Sequence, residues 1–128
     1  MDKKNKTFSI RERLNSFRYA FSGLARLVCK EHNFRIHLVA TTLVVIAGVL
    51  LNISPAEWLV IVLTIGMVLV AESFNSAVEH LCDIVSPEED QRIRNIKDIL
   101  AAAVLISAFV AVIIGLVIFI PHIMALFL

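Results

Sequence analysis

The sequence predicts an all-α membrane protein, with an N-terminal amphipathic surface helix followed by three transmembrane helices. Three observations carry this. The 128 residues are 59% hydrophobic and 18% charged, with a mean hydropathy of +0.84, against roughly 45–50% and about 25% in an ordinary soluble domain. A soluble domain of this size has too little interior to hide so much apolar residue. The apolar residues fall in three blocks, and the Lys and Arg residues fall almost wholly on one side of them. The length fits a single domain, residues 1–128. Disorder is excluded by the hydropathy. A net charge of +1 excludes an electrostatic nucleic-acid binder. Cys29 and Cys82 have no metal-ligand spacing and read as small packed hydrophobes.

The first element is a surface helix over about 9–30. Ile10, Leu14, Phe17, Phe21, Leu24 and Val28 recur at spacings of 4 and 3, one apolar helix stripe. Ser9 and Glu12 have the form of a capping box. Basic residues occupy much of the remaining surface, which suits a helix lying in the membrane interface. A helix packed on its own bundle is the plainer reading, and the two are compatible.

The first span is expected over about 33–53, with no formal charge from Ile36 to Ile53. The second is expected over about 57–82. Its uncharged run, Trp58–Ala71, is too short alone for the roughly 20 apolar residues a spanning helix needs. It reaches full length only by continuing through Glu72. The third is expected over about 87–120, uncharged from Ile99 to Ile120. Ser86-Pro87-Glu88-Glu89 offers an N-cap, a first-turn proline and acids that favour the helix dipole. Pro121 is expected to end this helix. Trp58 reads as an interfacial anchor. The first apolar block begins after thirty-five mostly polar or basic residues, which is not the layout of a secretory leader.

Nine of the twelve Lys and Arg residues lie within residues 1–35: Lys3, Lys4, Lys6, Arg11, Arg13, Arg18, Arg26, Lys30 and Arg35. The other three, Arg92, Arg94 and Lys97, lie between the second and third spans. The short loop Ser54–Glu57 and the C-terminal tail have none. By the positive-inside rule the N-terminus and the longer loop are cytoplasmic.

The second span carries the chemistry. Glu72, Asn75, Ser76, Glu79 and Asp83 fall within about 100° of arc on one helix face. A polar seam that joins helices would explain Asn75 and Ser76. Two glutamates two turns apart are too costly for that, and an intramembrane acid is by default functional. One carboxylate near a hydroxyl can act as general base. Another, nearer water, can ligate a hard cation such as Mg²⁺. Glu31 and Lys97-Asp98 stand at matching depths on the other spans, with Arg92, Arg94 and the N-terminal arginines available for phosphate. His32, His37, His80 and His122 show no metal-ligand spacing on one face and read as interfacial filler, the alternative for His80, beside Glu79, being a role in support of that carboxylate. These features define an acidic interfacial site without separating a kinase from an ion pathway.

Glu72-Ser-Phe-Asn75-Ser76-Ala77-Val78-Glu79, then Asp83, then Lys97-Asp98 before an Ala-Ala-Ala-Val run, resembles the signature of the small bacterial membrane lipid kinases, the prokaryotic diacylglycerol kinases and undecaprenol kinases. The resemblance spans nearly the whole chain, with Ser16–Leu24 and Lys30–His37 placed like that family's surface helix and first acidic residue. It implies a homotrimer in the bacterial cytoplasmic membrane, with ATP as phosphoryl donor and Mg²⁺ as cofactor. Carried over by position, Glu72 resembles the catalytic base and contacts the lipid hydroxyl. Glu31 and Glu79 resemble ligands of Mg²⁺ and the ATP phosphates. Asn75, Lys97 and Asp98 match polar residues of the ATP site. Tyr19, and an arginine at 11 or 13, match residues that help enclose the nucleotide, and Arg13 is assigned to substrate binding. Family members often have Tyr-His where this chain has Glu89-Asp90, which affects adenine or ribose contacts.

The implied reaction is phosphorylation of a membrane lipid alcohol, either undecaprenol or diacylglycerol, the latter giving phosphatidic acid. The run Gly115–Pro121 is nearer the undecaprenol branch. The glycines are scattered and no GxxxxGK[ST] motif is present, so a P-loop enzyme is excluded. The rival is a non-enzymatic trimeric membrane protein, an ion pathway or scaffold. A pathway needs polar groups through the whole bilayer, and the outer halves of the spans are almost purely apolar.

Overall fold

The structure, a computed structural model, describes residues 7–128; Lys3, Lys4 and Lys6 of the basic N-terminal group lie outside the described residues. Four helices make up the described residues: α1 (Ile10–Lys30), α2 (His32–Leu50), α3 (Pro55–Val85) and α4 (Gln91–Phe127). The last three are long and apolar enough to cross a membrane. At 1.5 Å rise per residue, α3 and α4 are about 46 and 55 Å long, so both outrun a hydrocarbon core of roughly 30 Å.

Ser9 caps α1 by accepting from the Glu12 amide. The α1–α2 break is a single residue. Glu31 is extended (φ −103°, ψ 111°), its amide donating to the Leu27 carbonyl, and α2 begins at His32. The Glu31 side chain makes no cap bond to α2, because it is engaged with α3. The α2–α3 turn is equally tight. Asn52 takes the left-handed conformation (φ 51°), which a short polar side chain tolerates. Ser54 and Glu57 then form a complete capping box around Pro55 at the first position of α3.

The third spanning helix departs from the sequence expectation at both ends. It starts at Gln91, not near Pro87. Ser86 is already used to close α3, its amide donating to the Cys82 carbonyl, and its hydroxyl donates to the Glu88 carbonyl. The cap is Asp90, whose carboxylate accepts from the Arg92 amide at 2.8 Å. At the far end the helix runs through Pro121 to Phe127. The proline removes one donor and leaves the neighbouring turns bonded, so it does not terminate the helix.

α4 lies along α3 in the most extensive packing, α2 packs on α3 less extensively, and α1 contacts α2. The apolar core gathers at the short-loop end: Ile53, Ile61 and Ile118, with Val44, Trp58, Ile65 and Phe119 against them. Trp58 is therefore part of the core, closing over Gly48, and not only an interfacial anchor. At the opposite end the interior is polar: Glu72, Asn75 and Ser76 are buried there. α1 buries nothing, and its stripe from Ile10 to Val28 is exposed.

Candidate active site

The polar end is where α1 meets α2, α3 ends and α4 begins. Helix period places Glu72, Asn75 and Ser76 on the face of α3 turned to its neighbours. Their relative exposures are 2%, 5% and 3%. Glu72 Oε2, Asn75 Oδ1 and Ser76 Oγ are buried with no hydrogen-bond partner in the chain. Unpaired buried polar groups are destabilising by about 1–3 kcal/mol each, which marks a place built for contact with something outside the chain.

Two crossed pairs join α2 to α3. His80 Nε2 lies 2.7 Å from Glu31 Oε1. His37 Nε2 lies 3.7 Å from Glu72 Oε2, an ion-pair distance beyond hydrogen-bond reach. Glu79, half-buried on α3 one turn past Asn75, and Glu31, at the α1–α2 break, stand at the same end of the bundle as Glu72. Spacing along one helix finds the α3 stripe. It cannot find His37 and His80, whose partners sit on another helix; their place at the same end of their helices as the acids was the available signal.

Lys97 reaches from α4 to α3, its Nζ 2.6 Å from Asp83 Oδ1. Beside it a polar cleft of about 450 Å³ opens between the α3–α4 loop and the start of α4, lined among others by Ser86, Glu88, Asp90, Arg94, Lys97 and Asp98. The Arg92 side chain and amide hold the Asp90 carboxyl down at about 2, so this rim carries fixed charge of both signs. Tyr19 and Arg13 are exposed on α1; Arg13 sits over the Phe8 ring, 5.8 Å from its centroid. The structure thus brings Glu31, Glu72, Asn75 and Glu79 to one end, with Lys97 and Asp98 at the adjoining cleft. Tyr19 and Arg13 stay exposed on α1.

Among the described residues no three His, Cys, Asp or Glu side chains converge on a metal position. A hard cation does not require that. Mg²⁺ is commonly held by one or two carboxylates together with substrate phosphates and water, and the oxygen donors of Glu31, Glu79 and Asn75 fit that chemistry.

Three apolar spans with carboxylates gathered at one end, beside a charged cleft, are the architecture of an integral-membrane protein with a polar site at one end of its bundle. A sequence profile of the prokaryotic diacylglycerol kinases matches residues 18–119, and the chain belongs to that family. It is a lipid kinase. It is 35% identical to an undecaprenol kinase of Bacillus subtilis over 121 residues, covering 94% of this chain and 98% of that one. It is 34% identical to a diacylglycerol kinase of Synechocystis over 88% of this chain and 65% of the relative. Against the Escherichia coli diacylglycerol kinase the figures are 32%, 74% and 78%.

Proposed function

We propose that the chain transfers the γ-phosphoryl group of Mg·ATP to the hydroxyl of a long-chain membrane alcohol at the cytoplasmic face, and that the alcohol is undecaprenol in preference to diacylglycerol. The observation that carries this is Glu72, a carboxylate buried within an apolar span with one oxygen unpartnered. Near-full-length similarity to an undecaprenol kinase supports the choice of lipid.

In this reading Glu72 Oε2 takes the hydroxyl proton. The freed oxygen bonds to the γ-phosphorus while the bond to the β–γ bridging oxygen breaks, leaving ADP and the lipid phosphate. Such transfer depends mainly on positioning and charge neutralisation. Glu31 and Glu79 would hold Mg²⁺, which would supply charge neutralisation on the phosphates. Glu31 would have to leave its contact with His80 for that role. Asn75 orients the nucleotide's phosphates. Lys97 and Asp98 hold the nucleotide from the polar cleft, and Tyr19 and Arg13 close over the substrates from α1. The same reading includes a homotrimer with its N-terminus in the cytoplasm of a bacterial inner membrane, supported by the basic N-terminal segment.

The test is transfer of radiolabel from ATP in mixed micelles with undecaprenol and diacylglycerol offered separately. Labelled undecaprenyl phosphate is expected. No labelled lipid from either alcohol, with correctly folded protein, overturns the reading. Glu72→Gln is expected to lower turnover by at least about 100-fold, the low end for losing a general base, with ATP affinity kept. Glu79→Gln is expected to weaken Mg·ATP binding instead.

A further inference from the structure

Glu31 stands on the one-residue break between α1 and α2, and its backbone is fixed on both sides. Its amide donates to the Leu27 carbonyl at 3.1 Å, and its carbonyl accepts from the Arg35 amide at 3.2 Å. Only its side chain is free to choose a partner. A polar side chain just before a helix ordinarily accepts from an amide of the first turn, and that of Glu31 does not. Its Oε1 instead lies 2.7 Å from His80 Nε2 on α3. A carboxylate oxygen accepts, so the imidazole N–H donates. Among the described residues this is the one side-chain hydrogen bond between α3 and the α1–α2 break. Glu79 precedes His80 on α3 and has no ion-pair partner within 4 Å among the described residues. The two carboxylates assigned to the cation are thus unequal: Glu79 is open and Glu31 is held.

We propose that His80 is a positioning residue that competes with the cation for Glu31, keeping the hold on Mg·nucleotide weak enough for Mg·ADP to leave after each transfer. This rests on the kinase reading above and deepens it. Consecutive helix positions are about 100° apart. A carboxylate held by His80 is therefore drawn about a quarter turn round α3 from the face of Glu72, Asn75 and Glu79. To share a cation with Glu79 it has to turn through that angle and give up a short hydrogen bond. The imidazole then waits beside it as the partner to which it returns. His80 itself is no ligand in this arrangement, so its loss tightens cation binding where loss of a ligand would weaken it.

The experiment uses the full chain in micelles with Mn²⁺, a paramagnetic stand-in for Mg²⁺, and counts free Mn²⁺ by electron paramagnetic resonance. Dissociation constants are measured with a non-hydrolysable ATP analogue and with ADP. One partly exposed hydrogen bond corresponds to about three- to ten-fold in affinity. His80→Leu is expected to bind Mn²⁺ that much more tightly with either nucleotide. His80→Gln, which presents an amide N–H, is expected to stay within about two-fold of wild type. In a Glu31→Gln background, His80→Leu is expected to change nothing. Weaker or unchanged binding in the Leu variant, failure of Gln to restore the wild-type value, or the same tightening without the Glu31 carboxylate overturns the inference. The His80 side chain is 63% exposed, so its truncation empties no core. Should the Leu variant fail to fold, His80→Ala decides by the same criteria. A wild-type chain that binds no Mn²⁺ with either nucleotide overturns the kinase reading itself, an outcome distinct from an unaltered His80 variant.

Discussion

At the scale of single residues, the two ends of the bundle respond to substitution in opposite ways. At the short-loop end packing is close. A Cβ on Gly48 would lie 2.7 Å from Trp58 Cη2 and 3.2 Å from Ile53 Cδ1. Gly48→Ala therefore forces the indole to move, although alanine is the better helix former. The expected loss is about 1–3 kcal/mol, measured by denaturant unfolding in micelles, and Trp58→Phe in the same chain should recover part of it. A Gly48→Ala chain as stable as wild type would show that the indole is not held there. At the rim of the polar end the ion pair between α3 and α4 is exposed. Lys97 and Asp83 are 35% and 66% exposed, and such a pair contributes little to stability. Lys97→Met is expected to leave the thermal midpoint nearly unchanged while raising the KM for ATP. A large fall in the midpoint with ATP affinity intact would make Lys97 a structural tie. The α3 carboxylates were legible in the sequence because each is a charge in or beside an apolar run, and Lys97-Asp98 because it stands at the edge where the third apolar block begins. The pairing of His37 with Glu72 was not. It depends on how α2 is rotated against α3, which no spacing within one helix encodes.

At the scale of elements, apolar blocks located the spans, and the caps decided where helices start. Ser54-Pro55-Ala56-Glu57 caps α3 through both halves of the box, so Ser54→Ala is expected to cost about 1 kcal/mol, read from unfolding in micelles. An unchanged unfolding midpoint would show the box to be redundant there. Ser86-Pro87-Glu88-Glu89 has similar composition and does not start α4, because Ser86 closes α3 and its hydroxyl donates where a cap must accept. Competition between the end of one helix and the start of the next is invisible to a local signature. Asp90 takes the role instead, and its pH dependence follows. Its carboxyl is lowered from 3.8 to about 2 by the hydrogen bonds from Arg92. A depressed carboxyl stabilises the folded form at pH above its ordinary value and loses that contribution as pH falls through its folded value. The first turn of α4 should therefore loosen between about pH 4 and pH 2, seen as faster amide exchange at Arg92. Asp90→Asn should show no such step, and a step that survives the substitution assigns it to another group.

At the scale of the whole molecule, the charge asymmetry of the sequence and the fold point to the same sidedness. The carboxylates, Lys97 and the charged cleft occupy the end of the bundle to which α1 is attached, and α1 follows the N-terminal segment that holds most of the lysines and arginines. The other end carries the Ser54–Glu57 turn, where Glu57 pairs with His122 at 3.0 Å. ATP reaches the site only if the basic end faces the cytoplasm. Cysteine reactivity tests this directly, because Cys29 is exposed near the end of α1 and Cys82 is buried in α3. A membrane-impermeant maleimide should label Cys29 in inside-out vesicles and leave it unlabelled in right-side-out ones. Ala56→Cys in a Cys29→Ser background should give the reverse, since Ala56 is exposed in the short turn. The two probes sit at opposite ends of the same bundle, so failure of one to react for lack of access cannot mimic an inverted orientation in both. Labelling of Cys29 from the outside and of the cysteine at 56 from the inside would put the carboxylates on the face without ATP, and the site would then have to be fed from the other side or not be a kinase site at all.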